Sequence, residues 1–367
     1  IQRMKVLISG GGTGGHLFPA MAIAEKLKEQ DPETKFLFVG AKGKIEMERV
    51  PKAGYNIKGL WISGIDRNLK SPKNLLFPLK LVTSLVKSFW IVLRFRPDVG
   101  IGVGGFASGP ALFMARLLGT PILIQEQNSF PGITNKLLGK RANKVCVAYD
   151  NMQRFFGDAA IVKTGNPVRR VLQEPVSTKQ EAAQIFEVDP NKPIVFVFGG
   201  SLGARSVNRA LMNAVDFFKS NPDVQLIWQT GKVSYAACVQ SELAKLDQVK
   251  VMQFIDRMEL AYALADVVVG RAGALTISEL CLQAKASILV PLPSAAEDHQ
   301  TKNAMALVEE GAAVLVEDKK LKETLIPTIQ ELLSDESKRD SLIKNIAKLG
   351  QKDAATLIVK EIYDLKK

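Results

Sequence analysis

Glycines cluster with a histidine in one turn near the start of the sequence, GGGTGGH from Gly10 to His16. An apolar run precedes this turn, and a helical pattern follows it. The N-terminus of a helix presents unpaired backbone N–H groups and a partial positive charge, so such a turn favours phosphate. Dinucleotides, nucleotide sugars and pyrophosphate lipids all carry phosphate, so the turn alone leaves these three ligand classes open.

The same turn satisfies the dinucleotide fingerprint G-x-G-x-x-G through Gly10, Gly12 and Gly15, which is a weak signal by itself. That fingerprint also needs a carboxylate at the end of the second strand, where it binds the ribose diol. Here the corresponding sequence is FVGAKGK, which carries Lys42 and Lys44 and no carboxylate. NAD is therefore disfavoured, whereas NADP stays open because a lysine can bind its 2′-phosphate.

Glycine clusters recur later in the chain, each directly after an apolar run. They are GGFASGP from Gly104, GGSLGA from Gly199 and RAGALTISE from Arg271. One dinucleotide needs only one such turn. Several turns spread along the chain therefore predict two phosphate-bearing ligands.

These turns need strands and helices to position them, and the hydropathy pattern indicates both. Short apolar runs alternate with helical patterns, as in parallel sheets that are covered on both faces. The predicted strands begin at Lys5, Lys35, Val99, Pro121 and Asn143 and, in a second series, at Lys192, Val224, Lys250, Ala265 and Ala286. The fold class is therefore α/β, with two doubly wound units that face each other across a cleft at the carboxyl ends of their strands. The boundary is expected within residues 165–175, where Pro167 interrupts the pattern.

The chain is basic, with a formal net charge of +12 over 367 residues. This balance favours an anionic partner, which is a nucleic acid, a phosphorylated substrate or an acidic membrane, unless the basic surface has no specific role. No nucleic-acid recognition module occurs in the sequence, so nucleic acid is not expected as a partner.

Cysteines and histidines are too few for the common metal and disulfide frameworks. The three cysteines lie far apart without a Cys-x-x-Cys pair, which indicates neither a zinc knuckle nor a disulfide framework. The two histidines, His16 and His299, argue against a histidine-rich metal site, so no metal is expected. The N-terminal residues lack the pattern of a signal peptide, which predicts a cytoplasmic location.

Seven motifs follow one another along the sequence: GGGTGGHLFPA, GGFASGP, QEQNSFPG, TGNPVR, FGGSLGA, RAGALTISE and HQTKNA. As a set, from about residue 4 to the C-terminus, they resemble the MurG family, the peptidoglycan N-acetylglucosaminyltransferases of glycosyltransferase family 28. The resemblance implies a GT-B fold of two Rossmann-like domains separated by a cleft. It implies an inverting hexosyltransferase that moves N-acetylglucosamine from UDP-GlcNAc to the C4 hydroxyl of the MurNAc-pentapeptide of undecaprenyl-pyrophosphoryl lipid I. The implied product is lipid II, and no cofactor is implied.

The resemblance also divides the chain by function. Residues 1–166 are expected to form an acceptor- and membrane-facing domain, on which the C-terminal segment 353–367 packs back. Residues 167–352 are expected to bind UDP-GlcNAc. Such an enzyme is peripheral at the cytoplasmic face of the inner membrane. Its expected partners are lipid I, the anionic membrane surface and other proteins of cell-wall synthesis.

Family contacts to UDP-GlcNAc carry over onto the matching positions of this chain, which are Thr13, Gly14, Gly15, Asn128, Arg169, Ser201, Ile255, Ala274, Leu275, Thr276, Glu279 and Gln300. Ser201 and Arg169 would meet the charge that develops on the leaving β-phosphate. Glu279 would accept both ribose hydroxyls, unless it belongs to a solvated helix face. Backbone groups of Ile255 would contact the uracil edge, and Gln300 would face the sugar.

Attack by the acceptor hydroxyl needs a base, for which His16 and Glu126 are the two candidates. His16 closes the first glycine turn, and an imidazole is largely neutral at pH 7, although this residue can instead cap the helix or bind acceptor phosphate. Glu126 lies at the C-terminal end of a predicted strand. The family usually has His where this chain has Gln125, and because Gln cannot accept the proton, more weight falls on His16 and Glu126.

The lipid-linked acceptor needs a pyrophosphate site and a membrane contact. The pyrophosphate is expected at Gly14, Gly104, Gly105 and Ser108. Residues 67–97 hold seven Lys or Arg and no acidic residue, which is typical of a membrane-surface segment, although a core helix is the alternative. We expect an exposed first half and a buried second half from Ser84 onward. The predicted membrane contacts are Lys73, Leu75, Leu76, Phe77, Leu79 and Lys80.

Two other functions stay open. Another GT-B nucleotide-sugar enzyme, such as a UDP-GlcNAc 2-epimerase or a glycolipid glycosyltransferase, would share the glycine turns. A soluble epimerase, however, has little need for the basic apolar segment. A membrane-bound scaffold without turnover is the non-enzymatic alternative, to which the Gln125 departure gives slight support.

Overall fold

A computed structural model shows the fold of the protein and describes residues 3–64, 74–173, 178–200, 202–295 and 298–366. The chain divides into two compact units. The first unit comprises residues 1–169 and 353–367, and the second comprises residues 170–352. The division thus falls after Arg169, a few residues later than the expected boundary after Asn166.

The first unit is built on a parallel sheet that has seven strands within the described residues. Their order is β3-β2-β1-β4-β5-β6-β7, so the chain moves outward from β1 in one direction and then in the other. The strands are β1 (Lys5–Ser9), β2 (Lys35–Ala41), β3 (Ile57–Leu60), β4 (Val99–Gly102), β5 (Ile122–Glu126), β6 (Lys144–Val147) and β7 (Ile161–Lys163). The point where the order reverses, between β1 and β4, is where doubly wound folds bind ligands.

Helices cover both faces of this first sheet. They are α1 (Gly14–Gln30), α2 (Glu46–Lys52), α3 (Phe77–Phe95), α4 (Ser108–Leu117), α5 (Ile133–Gly139), α6 (Gln153–Phe156) and, from the C-terminus, α16 (Ala354–Lys366). Alternate residues of β1 enter different cores: Val6 and Ile8 pack with α1, whereas Leu7 packs with α4. Because both faces are buried, the strand reads as a continuous apolar run.

The C-terminal helix α16 belongs to the first unit. Its Ile358 and Ile362 are fully buried in the same core as α1. Lys144 of β6 pairs with Glu361 at 2.8 Å, and this hydrogen-bonded pair raises the pKa of the lysine. The last helix thus completes one face of the first sheet.

The second unit repeats the same topology, with six parallel strands in the order β10-β9-β8-β11-β12-β13 within the described residues. The strands are β8 (Ile194–Phe198), β9 (Gln225–Gln229), β10 (Val249–Met252), β11 (Val267–Gly270), β12 (Ser287–Leu289) and β13 (Val314–Leu315). The helices are α7 (Lys179–Phe186), α8 (Arg205–Met212), α9 (Val215–Ser220), α10 (Tyr235–Val239), α11 (Met258–Leu264), α12 (Ala274–Gln283), α13 (His299–Glu309), α14 (Leu321–Ser334) and α15 (Glu336–Ala347). All five residues of β8 are buried, as its apolar run predicts.

Residues 77–95 of the basic apolar segment form helix α3, and the expectation of a buried second half holds only in part. That half buries Ser84, Ser88 and Val92, and Ile91 and Phe95 are half-buried against the core, whereas Val86, Trp90 and Leu93 are exposed. The two serines are small, so the helix lies close to its neighbours on that side; the Ser84 hydroxyl donates to the backbone oxygen of Trp61 at 3.1 Å. The exposed apolar residues are Leu79, Val82, Val86, Trp90 and Leu93, at helical spacing along the whole helix.

Candidate active site

The first glycine turn joins β1 to α1 and rests on a buried carboxylate. Glu46 of α2 accepts hydrogen bonds from the backbone N–H of Gly12, at 2.8 Å, and of Ala41, at 2.9 Å. A Cβ at Gly11 would lie 2.2 Å from the Glu46 carboxyl carbon, so only glycine fits there. Glu46 therefore engages one amide of the turn and leaves the amides of Thr13, Gly14 and Gly15, which the helix itself does not pair.

The second glycine turn, after β4, packs directly against the first. The Gly11 N–H donates to the Gly104 oxygen at 3.3 Å, and a Cβ at Gly105 would lie 2.4 Å from the Gly11 oxygen. Gly104 and Gly105 both have positive φ, which glycine adopts without strain. The buried Ser108 hydroxyl donates to the Gly105 oxygen at 2.7 Å, so its proton is used within the turn.

His16 lies between these two turns, in the first turn of α1. Its Nδ1 is 3.0 Å from the side-chain oxygen of Gln127, and its ring packs on Gly104, where a Cβ would lie 2.7 Å from Nδ1. The other ring nitrogen, Nε2, has no hydrogen-bond partner among the described residues. The imidazole is thus held by one nitrogen and can accept a proton at the other.

Glu126, the rival base, is buried at the end of β5 and engaged by three donors. Its Oε1 accepts from the backbone N–H of Asn128 at 2.9 Å and from the side chain of the same residue at 3.2 Å. Its Oε2 accepts from the Asn135 side chain at 2.8 Å. The carboxylate therefore shapes the loop that carries Asn128.

Gln125 stands where the resemblance leads one to expect a histidine, and its side chain is fully buried. Its amide nitrogen donates to Asn166 Oδ1 at 3.1 Å, and its amide oxygen accepts from the Gln127 side chain. The position is one link in a set of hydrogen-bonded carboxamides.

Arg169 ends the first unit, and its guanidinium lies 4.9 Å from the centre of the Phe18 ring. Phe18 is on α1, and its ring edge would lie 3.0 Å from a Cβ at Gly14. The cation is therefore close to the first turn of α1, where the helix N-terminus also favours an anion.

The third glycine turn follows β8 in the second unit, where Ser201 itself lies outside the described residues. Gln229 of β9 links this turn to Ile255: its amide donates to the Gly200 oxygen at 3.3 Å and its oxygen accepts the Ile255 N–H at 2.8 Å. The Ile255 N–H is therefore engaged within the protein.

The fourth turn leads into α12, whose first turn contains Ala274, Leu275 and Thr276. Glu279 lies on the same helix and is 8% exposed, so it does not belong to a solvated face. The hydroxyl of the fully buried Tyr262 donates to Glu279 Oε2 at 3.0 Å. This hydrogen bond restrains the carboxylate, which lies in the middle of α12.

Gln300 is the second residue of α13 and binds the preceding loop. Its side-chain oxygen accepts the Leu292 N–H at 3.0 Å. Arg271, in the fourth turn, pairs with Asp318 and donates to the Ser206 hydroxyl at 2.9 Å. These contacts fix the loops after β11 and β12 within the second unit.

The predicted membrane contacts differ in orientation. Leu75, Leu76 and Leu79 are exposed, Leu75 by 83%, whereas Phe77 is half-buried and packs into the core beneath α3. The Lys80 ammonium turns back along the protein, donating to the Ser63 hydroxyl at 3.0 Å. Lys73 lies outside the described residues.

In the part of the chain that the structure describes, no three His, Cys, Asp or Glu side chains are grouped closely enough to hold a metal ion. Likewise, none of the helices described is long and apolar enough to span a membrane.

Comparison with known proteins covers both units. Residues 6–147 match the profile described as "Glycosyltransferase family 28 N-terminal domain", and residues 194–358 match "Glycosyltransferase family 28 C-terminal domain". The chain belongs to glycosyltransferase family 28.

Relatives within family 28 match along the full length. The chain is 48% identical to a protein of Flavobacterium psychrophilum, over 100% of this chain and 98% of that one. It is also 48% identical to a protein of Phocaeicola vulgatus, over 99% and 97% of the two chains. Both are named UDP-N-acetylglucosamine–N-acetylmuramyl-(pentapeptide) pyrophosphoryl-undecaprenol N-acetylglucosamine transferase.

Solved structures agree with the family assignment. MurG of Acinetobacter baumannii matches with a TM-score of 0.74 and 27% identity, over 99% of this chain and 100% of that one. A putative UDP-N-acetylglucosamine 2-epimerase from Listeria monocytogenes matches with a TM-score of 0.71 at 12% identity, which shows a shared fold alone. The fold is GT-B, built from two Rossmann-like parallel-sheet domains.

Three residues of this family 28 site were not found from the sequence. Glu46, Gln127 and Tyr262 each hold a predicted site element in place. Gln127 lies within the quoted motif QEQNSFPG, which was the one available signal for it. Glu46 lies two residues after FVGAKGK, the sequence in which the dinucleotide fingerprint would place its carboxylate.

Proposed function

We propose that the protein transfers N-acetylglucosamine from UDP-GlcNAc to the C4 hydroxyl of the muramyl sugar of a pyrophosphoryl-undecaprenol acceptor. Transfer with inversion forms one glycosidic bond in a single displacement and releases UDP. The observation that carries the proposal is the His16 imidazole, held between two glycine turns in a chain whose full-length relatives are named for this transfer. The product is lipid II, the disaccharide precursor of peptidoglycan.

The first unit is proposed to bind the acceptor. The amides of Gly14 and Gly15, which pair with no group among the described residues, make a site for its pyrophosphate together with the second glycine turn at Gly104 and Gly105. For Arg169, whose guanidinium lies near the same turn, the role expected from the resemblance, meeting the charge on the leaving β-phosphate, stays a prediction. His16 Nε2 takes the proton of the attacking hydroxyl, a role worth about 10²–10⁴-fold in rate. Glu126 is the weaker candidate, because its carboxylate already accepts three hydrogen bonds inside the protein.

The second unit is proposed to bind the donor. The first turn of α12 offers N–H groups at Ala274, Leu275 and Thr276, which favour the diphosphate. Glu279 accepts the ribose hydroxyls, and the Ile255 carbonyl accepts from the uracil N3–H. Negative charge develops on the leaving UDP during transfer, and fixed N–H groups stabilise it without rearrangement.

Helix α3 is proposed as the contact with an anionic membrane surface, which makes the enzyme peripheral at the face where UDP-GlcNAc is available. Helix α3 packs on α4 and α4 on α5, and α4 and α5 also carry exposed apolar residues, Leu117, Ile133 and Leu137. Exposed Arg94 and Arg116 lie on the same helices and supply positive charge, each worth roughly 1 kcal/mol at an anionic surface. A lipid-linked acceptor then reaches the first unit from the membrane.

Sedimentation with vesicles tests this surface. Val86→Glu places a charge in the exposed line of α3 and should weaken binding to phosphatidylglycerol vesicles by about 10-fold or more, since a half-exposed apolar side chain contributes about 1 kcal/mol and the charge opposes burial. Ile185→Glu on α7 is the matched control, because Ile185 is similarly exposed but lies in the second unit. Equal binding of the two variants would contradict the proposed surface.

Acceptor dependence tests the reaction itself. UDP release from UDP-GlcNAc is measured with and without a lipid I analogue, in the presence of EDTA. The proposal predicts release, and a disaccharide product, only when the acceptor is present. Release of UDP without acceptor, together with N-acetylmannosamine, would indicate the 2-epimerase reaction instead.

A further inference from the structure

Three buried carboxamides lead from the interior of the first unit to His16. Asn166, Gln125 and Gln127 are 4%, 0% and 1% exposed. Asn166 Oδ1 accepts from Gln125, Gln125 Oε1 accepts from Gln127, and Gln127 Oε1 faces His16 Nδ1 at 3.0 Å. Gln125 and Gln127 thus each direct the amide nitrogen toward the preceding member of this series and the amide oxygen toward the next.

Backbone carbonyls fix the direction of this chain, because a carbonyl can only accept a hydrogen bond. The Gln127 amide nitrogen lies 2.9 Å from the Val103 oxygen and 3.2 Å from the Gln125 backbone oxygen. The Asn166 amide nitrogen lies 3.1 Å from the Gln127 backbone oxygen. Turning either amide around would set oxygen against oxygen in a buried site, which is costly.

The direction of these hydrogen bonds decides which nitrogen of His16 carries the proton. Gln127 can present only its oxygen to Nδ1, so Nδ1 of the neutral imidazole must be the N–H donor. We propose that Gln127 is a positioning residue that holds His16 in the Nδ1–H tautomer and leaves the lone pair on Nε2. This inference rests on the proposed role of His16 as the base, since that role requires an unprotonated nitrogen facing the acceptor.

Gln125 makes the series of hydrogen-bonded carboxamides insensitive to pH. A carboxamide neither gains nor loses a proton in the working range of pH, so the link between Asn166 and Gln127 keeps its direction. Gln127 is neutral too, so His16 has an orienting partner that does not favour the imidazolium by charge. The tautomer is therefore set by hydrogen-bond geometry, without the carboxylate that orients histidine in hydrolase triads.

Nitrogen NMR measures the tautomer directly. A ring N–H and a ring nitrogen with a lone pair resonate in separate ranges, and the chain contains only two histidines, so His299→Gln assigns the signals by loss. At a pH above the usual imidazole range, about 6.5, the unaltered protein should show His16 with a protonated Nδ1 and an unprotonated Nε2. A free histidine side chain favours the opposite form, so predominance of Nε2–H would overturn the proposal.

Gln127→Met tests the residue named. It removes the acceptor at Nδ1 while keeping a side chain of similar length, so the Nε2–H form should appear and kcat should fall at least about 10-fold, up to the 10²–10⁴-fold ascribed to a base. KM for UDP-GlcNAc should stay within about 2-fold. Gln125→Met is the matched control for the NMR signal: it too removes a buried amide, but the Val103 oxygen still orients Gln127, so Nδ1–H should persist.

The outcomes separate this inference from the proposed function. Transfer activity with an Nε2–H tautomer in the unaltered protein would overturn the positioning role and leave the function standing. The predicted tautomer in a protein without transfer activity would support the positioning role and contradict the function. Loss of the Nδ1–H form in both variants to the same extent would show that Gln127 is not the residue that sets it.

Discussion

Replacing Tyr262 with Phe removes a single hydroxyl from beside the buried Glu279 carboxylate. The ring keeps its neighbours, since Phe196 and Phe198 lie 5.6 Å and 6.0 Å from it between ring centres. The hydroxyl donates to Glu279 Oε2 at 3.0 Å, and a hydrogen bond to a charged group contributes about 1.5–3 kcal/mol. The change therefore acts on the position of the carboxylate more than on the packing around it.

The expected effect on donor binding follows from the lost restraint. Fixing a side chain that has lost one of its restraints costs up to about 0.5–1.5 kcal/mol, so UDP should bind Tyr262→Phe up to about 2- to 13-fold more weakly. The unaltered protein should bind UDP about 10- to 150-fold more tightly than 2′-deoxy-UDP. This ratio corresponds to the free energy of one hydrogen bond from a hydroxyl to a carboxylate. In Tyr262→Phe this preference should shrink, and in Glu279→Gln it should shrink further.

Isothermal titration calorimetry with the two nucleotides measures both quantities. Tyr235→Phe on α10 is the matched control, because Tyr235 is a half-buried tyrosine of the same unit outside the proposed donor site. It should leave both affinities unchanged. If Tyr262→Phe lowered the affinity for UDP and for 2′-deoxy-UDP equally, or changed neither affinity, Glu279 would not be the group that binds the ribose hydroxyls. That result would contradict the prediction.

Three further predictions concern groups that are buried or half-buried in the two units. Glu46→Gln replaces one acceptor oxygen with a donor, so the amide hydrogen of Gly12 or Ala41 should exchange with solvent about 10- to 150-fold faster. Unchanged exchange rates would contradict the role of Glu46 in holding the first glycine turn. Burial lowers the pKa of Lys285 from 10.5 to about 8, so the unfolded chain binds more protons between these values and stability should rise with pH there. In urea unfolding experiments, the free energy of unfolding of Lys285→Met should not rise with pH in this range. If it rose as steeply as that of the unaltered protein, the prediction would be wrong. Burial raises the pKa of Cys146 and Cys281 to about 12 and that of Cys238 to about 11, so at pH 8 an alkylating reagent should label these thiols only after unfolding, and mass spectrometry of the native protein would reveal any exception.

Strand prediction succeeded where burial is complete and failed at three of the four sheet edges, the exception being β10. The central strands β1 and β8 read as continuous apolar runs because helices cover both of their faces. The strands that were not predicted are β3, β7 and β13, and each lies at the edge of its sheet. Edge strands are short and partly solvated, so Lys58 and Lys163 interrupt the apolar pattern that marks a strand.

The glycine turns of the site were predictable because their signal is local. The residues that hold them were not, because their partners are distant in sequence: Glu46 lies 34 residues from Gly12, and Gln127 lies 111 residues from His16. Only the fold brings such pairs together. Helix α3 shows the complementary limit, since hydropathy predicted the helix and its exposed start but not that Val86, Trp90 and Leu93 of its second half are exposed too.

The central claim is that His16 accepts the proton of the attacking hydroxyl. The most direct measurement is the single-turnover rate of transfer to a lipid I analogue at saturating UDP-GlcNAc, compared between His16→Ala and the unaltered protein. The account predicts a fall of about 10²–10⁴-fold with UDP affinity retained. A His16→Ala protein that transferred the sugar at the original rate would contradict it.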